Sequence, residues 1–152
     1  MSKLRIGGKI DRLDSVTDPE TGEERIRVVD YKTGGSRLKA MADVDAIFDP
    51  AQVHNHSDYY LQTILYADIV SRQRRKAVSP ALLFIQHAGA ADYDPTLKLG
   101  KELITDVARY SERFNELLAG TIDELFNPDI KFRATDDLAV CRSCPYAAFC
   151  RR

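Results

Sequence analysis

Two carboxylates and an amine interrupt two segments that otherwise have the apolar composition of β-strands. Asp11 lies in the segment 8–14, and Asp30 and Lys32 lie in the segment 28–34. Residues two apart on a strand project from the same face, so Asp30 and Lys32 share one face. A second carboxylate on a neighbouring strand would complete a pair of hard oxygen ligands suited to Mg²⁺ or Mn²⁺. These residue types in this pattern favour metal-dependent hydrolysis of a phosphodiester.

The two segments are predicted to form a β-hairpin. Strands over residues 3–14 and 24–33 flank turn residues at positions 18–22. A hairpin centred between residues 20 and 21 places Asp11 opposite Asp30, whereas a slip of one residue would send Asp11 to the other face. Like charges opposite one another destabilise a sheet, and a bound divalent cation makes such a pair tolerable.

Three further residues have candidate roles at this site. Lys32 would orient the attacking water or stabilise charge in the transition state, and the backbone carbonyl of Tyr31 is an additional candidate ligand. Asp14, beside Arg12, is either a supporting partner of the site or a turn residue near the hairpin end. Taken one at a time, the acids and the lysine would be read as a partly exposed ion-pair cluster; their combination among Ile, Leu and Val favours a site.

The rest of the chain predicts a mixed α/β fold in a single domain over residues 1–152. A loop with a short helix is expected over 36–56, then a helix with Ser57 as its N-cap that runs to about Arg75, and a buried strand over 80–87. A longer helix is predicted to open at Asp94-Pro95. The helix that begins at Ser57 has its predicted core stripe at Leu61, Ile64, Leu65 and Ile69. The longer helix has apolar residues at helical spacing: Leu103, Ile104, Val107, Phe114, Leu117 and Leu118.

The composition limits the class of protein but does not identify its function. With 44% hydrophobic and 30% charged residues the chain has the composition of a globular domain. It lacks both a signal-peptide pattern and a run of about 18 apolar residues. We therefore expect a cytoplasmic location and no membrane association. A net charge of −1 gives no support for nucleic-acid binding. One basic cluster is either a phosphate contact or a solvated helix end: Arg72, Arg74, Arg75 and Lys76.

The order of three motifs resembles the RecB-like branch of the PD-(D/E)XK nuclease superfamily, which includes the nuclease domains of bacterial helicase–nuclease complexes. The motifs are Gly8-x-x-Asp11-Arg12-x-Asp14, then Val28-Val29-Asp30-Tyr31-Lys32, then Gln62-x-x-x-Tyr66. The resemblance implies a restriction-endonuclease-like core with Asp11 and Asp30 as metal-binding acids and Lys32 as the catalytic lysine. It also implies that Gln62 and Tyr66 form the helix motif beside the active site.

The function implied by this resemblance is a Mg²⁺- or Mn²⁺-dependent DNA nuclease, expected to be an exonuclease in recombination or repair. The expected partners are DNA and a helicase domain or subunit. One alternative is a catalytically incomplete nucleic-acid-binding module of a larger helicase-type complex, and another is a structural domain with an acidic ion-pair network. Tyrosines on the helix could stack on bases or simply pack: Tyr59, Tyr60 and Tyr66.

The last motif is Cys141-x-x-Cys144-Pro145-x-x-x-x-Cys150, within a predicted cysteine-bearing element over 141–152 that we describe as a small knot. An odd number of cysteines in ten residues argues against disulfides and suits a metal or an iron–sulfur cluster. Members of the resembled family carry such a cluster on three similarly spaced cysteines and a fourth upstream. No cysteine precedes Cys141 here, so we expect the C-terminal part of a longer protein. Alternatives are three free cysteines or a Zn²⁺ site completed by His54, His56 or His87.

Overall fold

A computed structural model of the chain describes residues 4–18, 21–34 and 38–151. Four parts of the predicted elements lie outside the described residues: residue 3 of the first strand, residues 19 and 20 of the turn, residues 36 and 37 of the loop, and residue 152 of the C-terminal element. The chain divides into two compact units, Met1–Leu118 and Ala119–Arg152. The candidate acids, lysine and helix motif all belong to the first unit, and the cysteines belong to the second.

The first unit is built on a three-stranded mixed sheet. Strand β1 spans Arg12–Thr17, β2 spans Glu24–Lys32 and β3 spans Val78–Phe84, in the spatial order β1-β2-β3. Strands β1 and β2 are antiparallel, whereas β2 and β3 are parallel and are joined through helix α1, Ser57–Arg74. A parallel pair needs a crossover of this kind. The predicted mixed α/β fold with a mixed central sheet is confirmed.

The hairpin has the predicted register. Arg12 pairs with Val29 and Thr17 with Glu24, so continuation by one residue brings Asp11 opposite Asp30. The loop closes through Gly22, which has a φ of 71° and donates its N–H to the carbonyl of Asp18 over 2.9 Å. A positive φ is accessible to glycine at no steric cost, which explains its place in this turn.

The first predicted strand is wrong at its N-terminal end, because β1 begins only at Arg12 and the described residues 4–11 form no strand. Two glycines weaken strand formation here. Gly8 instead packs on helix α1: a Cβ at this position would lie 2.8 Å from Cζ of Tyr66 and closer still to its hydroxyl oxygen. Residues before β1 therefore leave the sheet and pass against the helix.

Helix α1 covers one face of the sheet. Its buried face is centred on Tyr60, Ile64 and Ala67, which pack with Val28 of β2 and Leu82 of β3 in the main core. Of the predicted core stripe, Ile64 is buried, and Leu61 and Leu65 are half-buried against the core. Ile69 is not part of that cluster, because the buried face is rotated towards Tyr60. The helix starts at Ser57 as its first residue, and His56 with a φ of 59° is the cap, one position before the predicted cap.

The helix predicted to open at Asp94-Pro95 is wrong. Two short strands, β4 (Lys98–Leu99) and β5 (Glu102–Leu103), form a hairpin, and helix α2 spans only Ser111–Leu125. The segment before β4 lies along the free edge of β3: Leu97 N donates to Pro80 O over 2.9 Å, and Leu82 N donates to Pro95 O over 2.8 Å. An uncovered strand edge leaves backbone groups unpaired, and this pairing outweighs the helical spacing of nearby apolar residues.

Short 3₁₀ helices complete the first unit. Two of them, Asp45–Phe48 and Pro50–Asn55, confirm the predicted loop with short helical structure before α1. Two others, Ile85–His87 and Val107–Arg109, follow β3 and precede α2, so the buried strand predicted over 80–87 ends at Phe84.

The second unit contains the short helix α3, Leu138–Cys141, followed by turns through Arg151. No helix among the described residues is long and apolar enough to cross a membrane.

Candidate active site

The centre of the candidate site is an ion pair within strand β2. Asp30 is 5% exposed, and its Oδ2 lies 2.7 Å from Nζ of Lys32. The two residues are two apart, so the strand places both side chains on the face that α1 covers. The same Oδ2 is buried and accepts no hydrogen bond from the described residues. The ammonium of Lys32 is therefore the charge partner of this carboxylate, at ion-pair distance from the same oxygen.

Helix α1 holds the lysine in place. Nζ of Lys32 donates to Oε1 of Gln62 over 3.3 Å and lies 4.1 Å from the centre of the Tyr59 ring. Nε2 of Gln62 in turn donates to the hydroxyl of Tyr66 over 3.5 Å. Gln62 and Tyr66 are four apart and share one helical face. The structure thus brings Lys32, Gln62 and Tyr66 into one chain of contacts beginning at Asp30.

Asp11 approaches this cluster from the residue before β1. Its side chain is exposed at the end of the hairpin, and its Oδ2 accepts the backbone N–H of Tyr31 over 2.9 Å. Extension of the β1–β2 register by one residue would place Asp11 opposite Asp30, and the hydrogen bond to Tyr31 N–H ties its carboxylate to β2 beside Asp30. The packing of Gly8 on Tyr66 fixes the chain three residues earlier.

Asp14 belongs to a different network, on the opposite face of the hairpin. Its carboxylate accepts hydrogen bonds from Arg12 over 2.9 Å and from Arg27 over 3.2 Å, and Arg12 also donates to the Tyr31 hydroxyl over 2.9 Å. Partial burial raises the pKa of the Asp14 carboxyl, but the two arginine hydrogen bonds outweigh it and hold the pKa below its usual value. Among the described residues, the side-chain partners of Asp14 are thus these two arginines and not the candidate acids or Lys32.

The donor set at the hairpin end fits a hard divalent cation. It consists of two carboxylates, Asp11 and Asp30, with the carbonyl of Tyr31 nearby in sequence, and one of the carboxylate oxygens is buried without a hydrogen bond. Mg²⁺ and Mn²⁺ are commonly held by one or two carboxylates and keep several waters. Among the described residues there is no group of three or more His, Cys, Asp and Glu side chains arranged for a metal, so any ion held here would depend on water or substrate oxygens.

The three cysteines do not form the expected ligand group. Cys141, Cys144 and Cys150 are free thiols, the first two half-buried and the last exposed. Sγ of Cys141 donates to the carbonyl of Asp137 over 3.7 Å, within its own helical turn. In the part of the chain that the structure describes, the three thiols are not arranged together as a metal-binding group. The described residues thus give no support for the predicted cysteine knot or for an iron–sulfur or zinc ligand set.

The tyrosines of α1 and the basic cluster at its C-terminal end have different positions relative to the candidate site. Tyr60 is buried and donates its hydroxyl to Lys98 O over 3.0 Å, so it packs. Tyr59 contacts the lysine, a role that sequence reasoning missed; its position three residues before Gln62 on one helical face was the available signal. Arg72 pairs with Asp68 over 3.0 Å, and the end of α1 lies about 18 Å along the helix from Gln62. The basic cluster is therefore remote from the candidate acids.

Comparison with protein families identifies the class of protein to which the chain belongs. The family model of the PD-(D/E)XK nuclease superfamily matches residues 2–151, and the chain belongs to that superfamily. Its members have a nuclease-type fold and are generally metal-dependent hydrolases. No curated protein matches the chain, and no solved structure matches it.

Proposed function

We propose that this chain is the core of a divalent-metal-dependent DNA nuclease, with Asp11 and Asp30 as metal-binding acids and Lys32 as the catalytic lysine. The observation that carries the proposal is the buried Asp30–Lys32 pair fixed from α1 by Gln62. A buried carboxylate is costly unless it has partners, and a carboxylate with an adjacent amine is suited to metal-dependent hydrolysis of a phosphodiester. Membership of the superfamily supports the same chemistry.

The chain's own residues would act as follows. Asp11, Asp30 and the Tyr31 carbonyl would hold Mg²⁺ or Mn²⁺, which when bound supplies charge neutralisation and a water of lowered pKa. Lys32 would direct its ammonium at the attacking water or at the phosphate oxygens, where negative charge develops. Gln62 and Tyr59 are positioning residues that keep the ammonium from turning to solvent. Tyr66 keeps the amide of Gln62 in the orientation that accepts from Lys32.

The finer assignment rests on the order of the motifs. We infer membership of the RecB-like branch, exonuclease activity, a role in recombination or repair and a helicase as the companion domain or subunit. Digestion of linear but not circular single-stranded DNA would support exonuclease action. Cleavage of both forms at similar rates would refute it.

The central experiment measures Mn²⁺ binding by calorimetry and Mn²⁺-dependent DNA cleavage on the same preparations. Wild type is expected to bind with about −5 to −8 kcal/mol and to cleave. Asp30→Ala is expected to lose both properties. Lys32→Met is expected to keep or strengthen Mn²⁺ binding, because the ammonium that competes for Asp30 is gone, while losing cleavage. Opposite effects of the two substitutions on metal binding are the signature of the proposed roles.

Asp14→Asn is the matched control, because it removes a carboxylate of the same hairpin from the other face. It should leave both metal binding and cleavage unchanged, with thermal melts confirming that each variant folds. Salt-dependent DNA binding that ignores Mn²⁺ and survives Asp30→Ala would instead favour a catalytically incomplete binding module. Equal loss of metal binding in Asp14→Asn would contradict the assignment of the site.

A further inference from the structure

The segment that precedes β1 borders the candidate site and is tied to the rest of the first unit along its course. Gly8 packs against the hydroxyl of Tyr66 on α1. Ile10 is half-buried against the core, and the carboxylate of Asp11 accepts the backbone N–H of Tyr31 over 2.9 Å. The backbone of this segment is therefore held between α1 and β2, directly beside the candidate acids.

The candidate site is most accessible on the side of this segment. Asp30 is 5% exposed and the side chain of Lys32 is 17% exposed, whereas Asp11 is an exposed residue. A phosphate would therefore approach the buried pair from the side of Asp11. Lys9 is exposed and lies two residues before Asp11, so their Cα atoms are at most about 7 Å apart. The flexible four-carbon stem of the lysine lets its ammonium reach a phosphate that neighbours the scissile one.

Two exposed cations lie on this segment, Arg5 and Lys9. Neither of them forms an ion pair with the described residues. The arginines of the neighbouring hairpin differ, because Asp14 pairs with Arg12 over 2.8 Å and with Arg27 over 3.2 Å. The hairpin arginines thus already have a carboxylate partner, whereas the charges of Arg5 and Lys9 are available to an anionic ligand.

A polyanionic substrate needs cations of this kind beside the site. The chain as a whole has a net charge of −1, so its overall charge does not attract DNA. At the site itself the carboxylates of Asp11 and Asp30 outnumber the ammonium of Lys32, which repels phosphates until a metal binds. Proteins neutralise the phosphates that flank a reacting one with lysine and arginine side chains. The local positive charge on the segment before β1 meets this need.

We propose that Lys9 and Arg5 bind backbone phosphates of the substrate strand, Lys9 beside the scissile phosphate and Arg5 further along. The strand would thus leave the site along the segment that precedes β1. The inference rests on the proposed nuclease function, because these phosphates belong to the strand being cut. It deepens that function by assigning the residues that hold the strand, in addition to those that act on the bond. Contacts to phosphates position a strand without reading its sequence.

Salt-dependent DNA binding tests these contacts without metal or cleavage. A fluorescent single-stranded oligodeoxynucleotide is titrated with the full chain in EDTA, at salt concentrations from about 50 to 200 mM, and its anisotropy gives the binding constant. Each phosphate contact to a single strand contributes about 0.7 to the slope of log K against log salt. Lys9→Ala and Arg5→Ala should each reduce the magnitude of that slope by about 0.7. Lys9→Arg, which keeps the charge, should have the wild-type slope.

The matched controls are exposed cations away from the site, Lys101 and Arg74, which likewise form no ion pair with the described residues. Lys101 lies in the turn between β4 and β5, after the segment that pairs with the edge of the sheet opposite to β1. Arg74 is the last residue of α1, about 18 Å along the helix from Gln62. Lys101→Ala and Arg74→Ala should leave the slope unchanged, with thermal melts confirming that every variant folds.

Cleavage kinetics with Mn²⁺ separate holding the strand from acting on the bond. Lys9→Ala should raise KM with kcat nearly unchanged, because a contact made equally in the ground state and the transition state supplies uniform binding. A fall in kcat with KM unchanged would contradict the role of Lys9 as a strand contact.

The outcomes distinguish failure of the strand path from failure of the nuclease function. Equal salt slopes for wild type and all four alanine variants, with cleavage intact, would overturn the strand path alone. A loss of slope in Arg74→Ala in place of Lys9→Ala would place the strand along the end of α1 and also overturn it, as would a folded wild type that binds no DNA. The predicted loss of slope in a chain that never cleaves DNA would overturn the nuclease function and leave the two phosphate contacts standing.

Discussion

Replacing Gly8 with alanine perturbs the contact between the segment that precedes β1 and helix α1. The added Cβ would lie 2.8 Å from Cζ of Tyr66 and closer to its hydroxyl. Carbon atoms in contact prefer about 3.5–4.0 Å, so the ring or the backbone must move by about 1 Å. Neither Gly7 nor Gly8 has the positive φ that disfavours a side chain, and steric conflict is therefore the only cost that the structure assigns to the substitution.

The expected magnitude follows from the position of Tyr66. Forcing an extra methyl group into a packed contact costs about 1–3 kcal/mol, which for a domain of this size lowers Tm by about 3–10 °C. The displaced hydroxyl would also leave Gln62, whose contact with it is already 3.5 Å. Because Gln62 positions Lys32, cleavage should fall by up to about 100-fold, the effect of a misplacement of about 1 Å in a catalytic arrangement.

Thermal melts and Mn²⁺-dependent cleavage rates measure the two effects. Gly7→Ala is the control, since nothing lies within 4 Å of a Cβ at that position. Tyr66→Leu removes the ring atoms that the new methyl group would meet, so Gly8→Ala should cost less stability in that background than in wild type, and the double variant should be less destabilised than the sum of the two single variants. Equal melting temperatures for the Gly7 and Gly8 variants, or the same penalty in both backgrounds, would refute the packing argument.

Two further predictions concern stability. Asp68→Ala should destabilise the fold by about 2–3 kcal/mol, because the buried carboxylate accepts hydrogen bonds from Ser111 and Asn115. Arg72→Ala removes only the exposed partner of Asp68 and should cost less than about 1 kcal/mol. Equal free-energy costs of the two variants in urea unfolding would contradict this prediction. The lowered pKa of Asp14 stabilises the fold above the unfolded value of about 3.9, and that contribution is lost as pH falls through the folded value. The stability difference between wild type and Asp14→Asn should therefore shrink from pH 6 to pH 3, and a constant difference would argue against the ion-pair network.

The hairpin and α1 could be predicted because their determinants are local. Turn residues and alternating apolar positions define β2, and the pairing of Arg12 with Val29 follows from the centre of the turn. The apolar residues of α1 lie within its eighteen residues, although the cap is His56 and not the predicted Ser57. The Asp30–Lys32 pair could likewise be placed on one face from strand geometry alone.

The segment between β3 and α2 could not be predicted because its structure depends on distant partners. Leu103 and Ile104 have the spacing of a helix face, but Ile104 N donates to Leu97 O over 2.8 Å within a small hairpin. That hairpin follows a segment that pairs with the free edge of β3. The local sequence of this segment carries no signal that such an edge is available. Tertiary pairing thus outweighed helical periodicity.

The contacts around the candidate site also limited prediction. Tyr59 faces Lys32 from a helix more than twenty residues further along the chain, and Gly8 meets Tyr66 across a still longer separation. Sequence patterns identify residue types suited to chemistry, but such juxtapositions arise only when the sheet and helix have packed.

The parallel pairing of β2 with β3 has a consequence for the folding pathway. Residues paired in the β1–β2 hairpin are at most 17 apart in sequence, whereas every β2–β3 pair is separated by 52 residues. Closing a long loop costs entropy before its contacts compensate, so nonlocal pairing is slow. Asp30 and Lys32 can meet on a nascent hairpin, but Gln62 reaches the lysine only when the crossover has closed. The ammonium thus acquires its fixed direction late in folding, and a chain released early carries the acids without a positioned lysine.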